Sequence, residues 1–79
     1  MDIKSAALAT RLQMQARPEA IWPADGPCGY AHVQGMLIQI ELGEIVGEKA
    51  HRWLGWAQCA VVAAGAGMLC EMKEINHAA

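Results

Sequence analysis

An all-α fold, a small bundle of three to four helices with a Pro/Gly-rich loop after the first, is what this sequence predicts. Three observations lead there. Apolar residues recur at three- and four-residue spacing in separate stretches, good helix formers fill the first sixteen positions, and glycine and proline cluster at a few joints. A chain of 79 residues has room for one core only, so a single helical domain over residues 1–79 is expected.

The first helix is predicted over residues 1–16, with Asp2 placed to cap its first turn. Its apolar positions form two groups: Ile3, Ala7 and Met14 lie together, and Leu8 and Leu12 lie on another side, so the helix is expected to contact two surfaces. Residues 17–30 hold Pro18, Pro23, Gly26, Pro27 and Gly29 and are predicted as a loop.

Residues 31–46 carry two periods. Val33, Met36, Leu37 and Ile40 follow helical spacing, while Ile38-Gln39-Ile40-Glu41-Leu42 alternates like a half-buried strand. A lone strand leaves its backbone groups unpaired, so helix is favoured; the strand alternative requires two protomers to pair their edges.

A third helix is predicted over residues 48–64, opened by Gly47 and Glu48, and a fourth over 67–77, after the Gly65-Ala66-Gly67 stop. In the fourth, Met68, Leu69, Met72 and Ile75 lie opposite Glu71, Lys73 and Glu74. Ala57, Ala60, Ala63 and Ala64 are expected to bring helices three and four together as a hairpin, with the end from Asn76 to Ala79 frayed.

The formal charge of -2 gives no electrostatic footprint for a phosphate backbone, so direct nucleic-acid binding is not expected. A helix-turn-helix outline around Gly65-Ala66-Gly67 fails on the same ground, since its reading helix would set Glu71 and Glu74 against the single Lys73. From Trp53 to Cys70 eighteen residues pass without a formal charge, but the run is built from Ala and Gly, contains Gln58 and is broken by two glycines. No membrane association is expected.

Three cysteines, Cys28, Cys59 and Cys70, form no Cys-x-x-Cys pair, which favours a reducing compartment such as the cytoplasm. Cys28 and His32 stand four residues apart, with His51 or Cys59 as further ligands, yet a structural zinc site uses two close ligand pairs; no metal or cofactor is expected. Nothing places a cysteine beside His32, His51 or His77, so Cys59 and Cys70 are read as small packed hydrophobes and the chain as no enzyme.

Binding is the better expectation, because 54% of residues are hydrophobic and only 18% charged, more apolar surface than so short a chain hides. The aromatic distribution locates it: no phenylalanine, but Trp22 and Tyr30 in or beside the loop, and Trp53 and Trp56 after His51 and Arg52. Trp22 either plugs the bundle or anchors a partner, with the plug favoured. Of Trp53 and Trp56, one is expected in the core and the other at a contact. Met36 and Met72 are expected inside. The candidate partner-binding residues are Trp22, Tyr30, His51, Arg52, Trp53 and Trp56.

The segment from Gly35 to Asn76 resembles a type of short protein encoded by temperate bacteriophages and prophages. The residues that carry the likeness are Arg52-Trp53-Leu54-Gly55-Trp56-Ala57-Gln58 and Leu69-x-Glu71-Met72-Lys73-Glu74-Ile75-Asn76. The chain departs from that pattern at Cys59, where glycine is usual, and before residue 31. The resemblance implies stoichiometric inhibition of a host bacterial protein or complex, in an anti-defence role of the anti-CRISPR kind. Two alternatives stand beside it: an oligomeric sponge for a small nucleotide, using Lys49, Arg52 and the aromatics, and a structural subunit that self-associates as a homo-oligomer.

Overall fold

In a computed structural model describing residues 1–79, four helices follow one another without a strand: α1 (Ile3–Gln15), α2 (Tyr30–Glu41), α3 (Gly47–Ala63) and α4 (Leu69–Ala78). The fold is all-α.

The helix ends are set by identifiable residues. Asp2 caps α1 by accepting hydrogen bonds from the backbone N–H groups of Lys4 (3.1 Å) and Ser5 (3.4 Å). Helix α2 ends at Glu41, five residues short of the expected boundary at 46, because Gly43 adopts φ +77° and turns the chain out of the helix. The Gly43 N–H then donates to the Ile40 carbonyl and the Glu44 N–H to the Gln39 carbonyl, each at 3.0 Å, the paired bonds that satisfy a helix end. Gly65, at φ +79°, ends α3 in the same way through its own bond to Val62 and that of Ala66 to Val61.

The strand alternative for residues 38–42 is excluded: Val33, Met36, Leu37 and Ile40 face the core as helical spacing requires, and Leu42 is exposed. Boundaries elsewhere move by one or two residues, with Tyr30 joining α2 and Gly67 and Met68 preceding α4.

Helix α1 is the hub, packing against α2, α3 and α4. It does so along one stripe, Ala6, Ala7, Thr10 and Met14, all buried, in which the two alanines admit close neighbours and Met14 fills the space beyond them. The expected second contact surface is absent, since Leu8 and Leu12 are exposed. The core unites that stripe with Val33, Leu37 and Ile40 of α2, Leu54, Ala57 and Val61 of α3, and Met72 of α4. Met36 is buried as well.

Two expectations about the C-terminal half are corrected. Helices α3 and α4 do not form an alanine-seamed hairpin; α4 rests chiefly on α1. The Gln13 side-chain amide donates to the Ala66 carbonyl, and Arg17 pairs with Glu71 at 3.0 Å, which draws the start of α4 towards α1. The chain end does not fray away, because the Asp2 N–H donates to the Ala79 carbonyl at 2.8 Å and ties the two termini together.

Polar groups inside the bundle are paired. Arg11 forms a two-pronged bridge to Glu41 across α1 and α2, at 2.6 and 2.8 Å. Gln58 of α3 donates to the Thr10 hydroxyl (3.1 Å), which itself donates to the Ala6 carbonyl, and also bonds Asn76 of α4. The shortest principal extent is 16 Å, enough for two helix layers and no more, and this thinness leaves Ile21, Leu42, Val46, Trp56, Met68 and Leu69 exposed.

Candidate functional site

The loop between α1 and α2 is fastened to α3 at both ends. The Ile21 N–H donates to the Ala64 carbonyl at 2.9 Å, pinning the first half of the loop to the C-terminus of α3. Trp22 then stands edge-on to Tyr30, ring centres 5.5 Å apart. In the second half, Gly26 at φ +83° opens a turn closed by the Gly29 N–H on the Gly26 carbonyl. Gly29 lies so near Asp25 that a Cβ would meet its carbonyl oxygen at 3.1 Å. That turn presents the Pro27 carbonyl to the indole N–H of Trp56, which donates to it at 3.3 Å.

Between loop and helix lies a groove of about 440 Å³. The loop supplies Ile21, Trp22, Pro23 and Cys28; the helix supplies Trp56, Cys59, Ala60, Ala63 and Ala64, and eight of these nine side chains are apolar. The three alanines form a floor because they are too short to fill the space between the tryptophans. Ile21, 84% exposed, forms the outer rim, and Trp56, 47% exposed, forms the wall towards α2.

On the other flank of Trp56 is a shallower depression of about 410 Å³, bounded by Pro27, His32, Met36, Arg52 and Trp53. Trp53 rests half-buried against the core, with the Lys49 ammonium 5.3 Å from its ring centre. Trp56 is thus a ridge between an apolar groove and a depression that carries one arginine.

The six residues singled out by sequence divide accordingly. Trp22 and Trp56 meet in the groove, with Tyr30 behind Trp22. Arg52 and Trp53 flank the second depression, and His51 is exposed but lines neither. Trp22 is both things at once, packed on the core and bordering the groove.

Sequence reasoning missed Ile21, Cys59 and the alanine floor, although a signal existed. Trp56, Cys59, Ala60 and Ala63 recur at i, i+3, i+4 and i+7, a second apolar stripe beside the buried face of Ala50, Leu54, Ala57 and Val61. The reading of Cys59 and Cys70 as packed hydrophobes is corrected: all three cysteines are exposed and unpaired, because Cys59 projects on the groove side of α3 and Cys70 from the first turn of α4.

No histidine, carboxylate or lysine lines the apolar groove, whose reactive side chains are the free thiols of Cys28 and Cys59. No three His, Cys, Asp or Glu side chains gather in a metal-binding cluster, and no helix is long and apolar enough to cross a membrane. What the groove can do is take an apolar side chain out of water.

Comparison with protein-family models, with characterised proteins and with solved structures finds no match for this chain.

Proposed function

We propose that this protein acts by stoichiometric contact, its Trp22–Trp56 groove gripping an apolar side chain on a host bacterial protein or complex and so occluding that partner's surface. The observation that carries the proposal is the groove: about 440 Å³, almost wholly apolar, and walled by a half-exposed tryptophan. Its volume falls in the range of about 300–1,000 Å³ typical of binding clefts. Its aromatic walls are of the residue type that dominates binding energy at interfaces.

The anti-defence role is the part of this reading that the resemblance to short phage and prophage proteins implies. A nucleotide sponge needs several cations around a phosphate, and the site offers Arg52 with Lys49 nearby. Protein contact suits the apolar lining better.

The experiment is to capture partners with the tagged protein from lysate of a bacterial host and to measure the mass of the purified complex. The proposal expects one recurrent host complex at a fixed ratio, lost with Trp56→Ala. Capture that varies between preparations and is indifferent to Trp56 would count against it.

A further inference from the structure

Two free thiols line the same groove from its two walls. Cys28 comes from the loop and Cys59 from α3, and both are exposed and unpaired. The Trp56 hydrogen bond sets them near each other. The Pro27 carbonyl that receives the indole N–H at 3.3 Å is bonded to the Cys28 nitrogen, which therefore lies within about 6 Å of the indole nitrogen. Cys59 follows Trp56 on α3 at about 60° of arc and about 4.5 Å along the axis.

A disulfide needs its two α-carbons within about 7 Å. The segment that carries Cys28 is free to adjust to that requirement: residues 23–28 are all exposed, and a single hydrogen bond, Trp56 to Pro27, joins them to α3. The floor beneath is alanine, too short to stand between the two sulfurs. Cys70 is the contrast. It is equally exposed and free, but it belongs to the first turn of α4 and lines no part of the groove.

We propose that Cys28 and Cys59 form a reversible disulfide across the groove, an oxidative modification driven by a low-molecular-weight disulfide such as glutathione disulfide. One protein thiolate attacks a sulfur of the small disulfide, forming a mixed disulfide and releasing a thiolate that takes up the proton. The second protein thiolate attacks the cysteine sulfur of the mixed disulfide and releases the other small thiol. Two electrons pass from the protein: its two thiols become one disulfide, and the small disulfide becomes two thiols. The new bond runs from loop to helix over the alanine floor, where an apolar side chain would otherwise enter. In a reducing compartment such a bond is transient, so the groove stands open except under oxidation. The effect on partner binding rests on the groove being the grip proposed above; formation of the bond does not.

Intact-mass spectrometry of the Cys70→Ser chain, equilibrated with glutathione disulfide and about 0.1 mM reduced glutathione, tests the bond. With an effective concentration of about 1 mM between the paired thiols, the chain lacking two hydrogens exceeds the singly glutathionylated chain at least about tenfold. When Cys28→Ser or Cys59→Ser is added, the remaining thiol carries one glutathione instead. In the wild type, peptide mapping without reduction links Cys28 to Cys59. Glutathione on both thiols of the Cys70→Ser chain with no internal disulfide, or a wild-type bond made chiefly to Cys70, overturns the proposal.

Capture from thiol-depleted host lysate reads the consequence. The oxidised Cys70→Ser chain is expected to retain at most about a tenth of the complex held by the reduced chain, and reduction restores it. Undiminished capture by the fully oxidised chain overturns the closing of the groove. Capture by neither form counts against the groove as a grip, while the mass spectrum has already decided the disulfide.

Discussion

Gln58 and Asn76 exchange two hydrogen bonds, the Gln58 amide donating to Asn76 Oδ1 at 2.8 Å and the Asn76 amide donating to Gln58 Oε1 at 2.9 Å. Since α4 otherwise rests on α1, this reciprocal pair fixes its register against α3. With the Gln58 bond to Thr10, it joins three helices through one buried side chain.

Asn76→Ala removes both bonds and leaves the inward-facing Gln58 carbonyl without a partner, at a cost of about 2 kcal/mol. The Gln58→Leu, Asn76→Leu double variant loses less than the sum of the two single variants, by about 1 kcal/mol, because neither amide is then orphaned. Urea denaturation of the four proteins measures this. Strict additivity would mean that the two amides do not act as a pair.

The Asp2 cap gives stability a defined pH dependence. Hydrogen bonds from the Ser5 hydroxyl and backbone hold the Asp2 carboxyl below its ordinary value of 3.8. A carboxylate whose folded pKa is depressed contributes fully above its unfolded pKa, and the contribution disappears as pH falls through the folded value. The thermal midpoint of Asp2→Ala is therefore expected below that of the wild type at neutral pH, with the gap starting to close near 3.8 and vanishing at lower pH. A gap independent of pH would show that the carboxylate is not what caps α1.

Two glycines of α3 predict opposite signs. Gly65 closes the helix at φ +79°, where a Cβ is strained, so Gly65→Ala costs about 1 kcal/mol. Gly55 lies inside the helix, and a Cβ there would project into open space with nothing within 4 Å, so Gly55→Ala stabilises by about 0.5–1 kcal/mol. Midpoints from urea titration distinguish them, and shifts of the same sign would contradict the assigned backbone roles.

The two groove tryptophans differ in what they support. Trp22 packs on the core and against Tyr30, so Trp22→Ala lowers stability by about 2 kcal/mol. Trp56 is half-exposed and loses one surface hydrogen bond, so Trp56→Ala costs about 1 kcal/mol or less. Denaturation curves that reversed this order would place Trp56, and not Trp22, in the packed interior.

Much of the fold was legible because its signals are local. Helical spacing at Val33, Met36, Leu37 and Ile40 marks α2, Asp2 marks the start of α1, and Gly65 marks the end of α3. The partner of α4 was not legible, since it depends on Gln13 and Arg17 reaching Ala66 and Glu71 across more than fifty residues of chain. Nor was the groove, although Trp22 and Trp56 were each among the six residues singled out, since the sequence groups Trp22 with Tyr30 and Trp56 with Trp53. The alanines that line it look in sequence like a helix–helix seam, and only the Ile21 bond to Ala64 reveals that they face the loop.

The central claim is that the groove between Trp22 and Trp56 is where a partner is held. Affinity capture from host lysate with Ile21→Asp and Trp56→Ala, set beside the exposed α1 controls Leu8→Asp and Leu12→Asp, tests it most directly. The account predicts a captured host complex retained by both α1 variants and depleted at least about tenfold by both groove variants, the effect of removing a binding hot spot. Equal capture by all four, or depletion confined to the α1 variants, contradicts it.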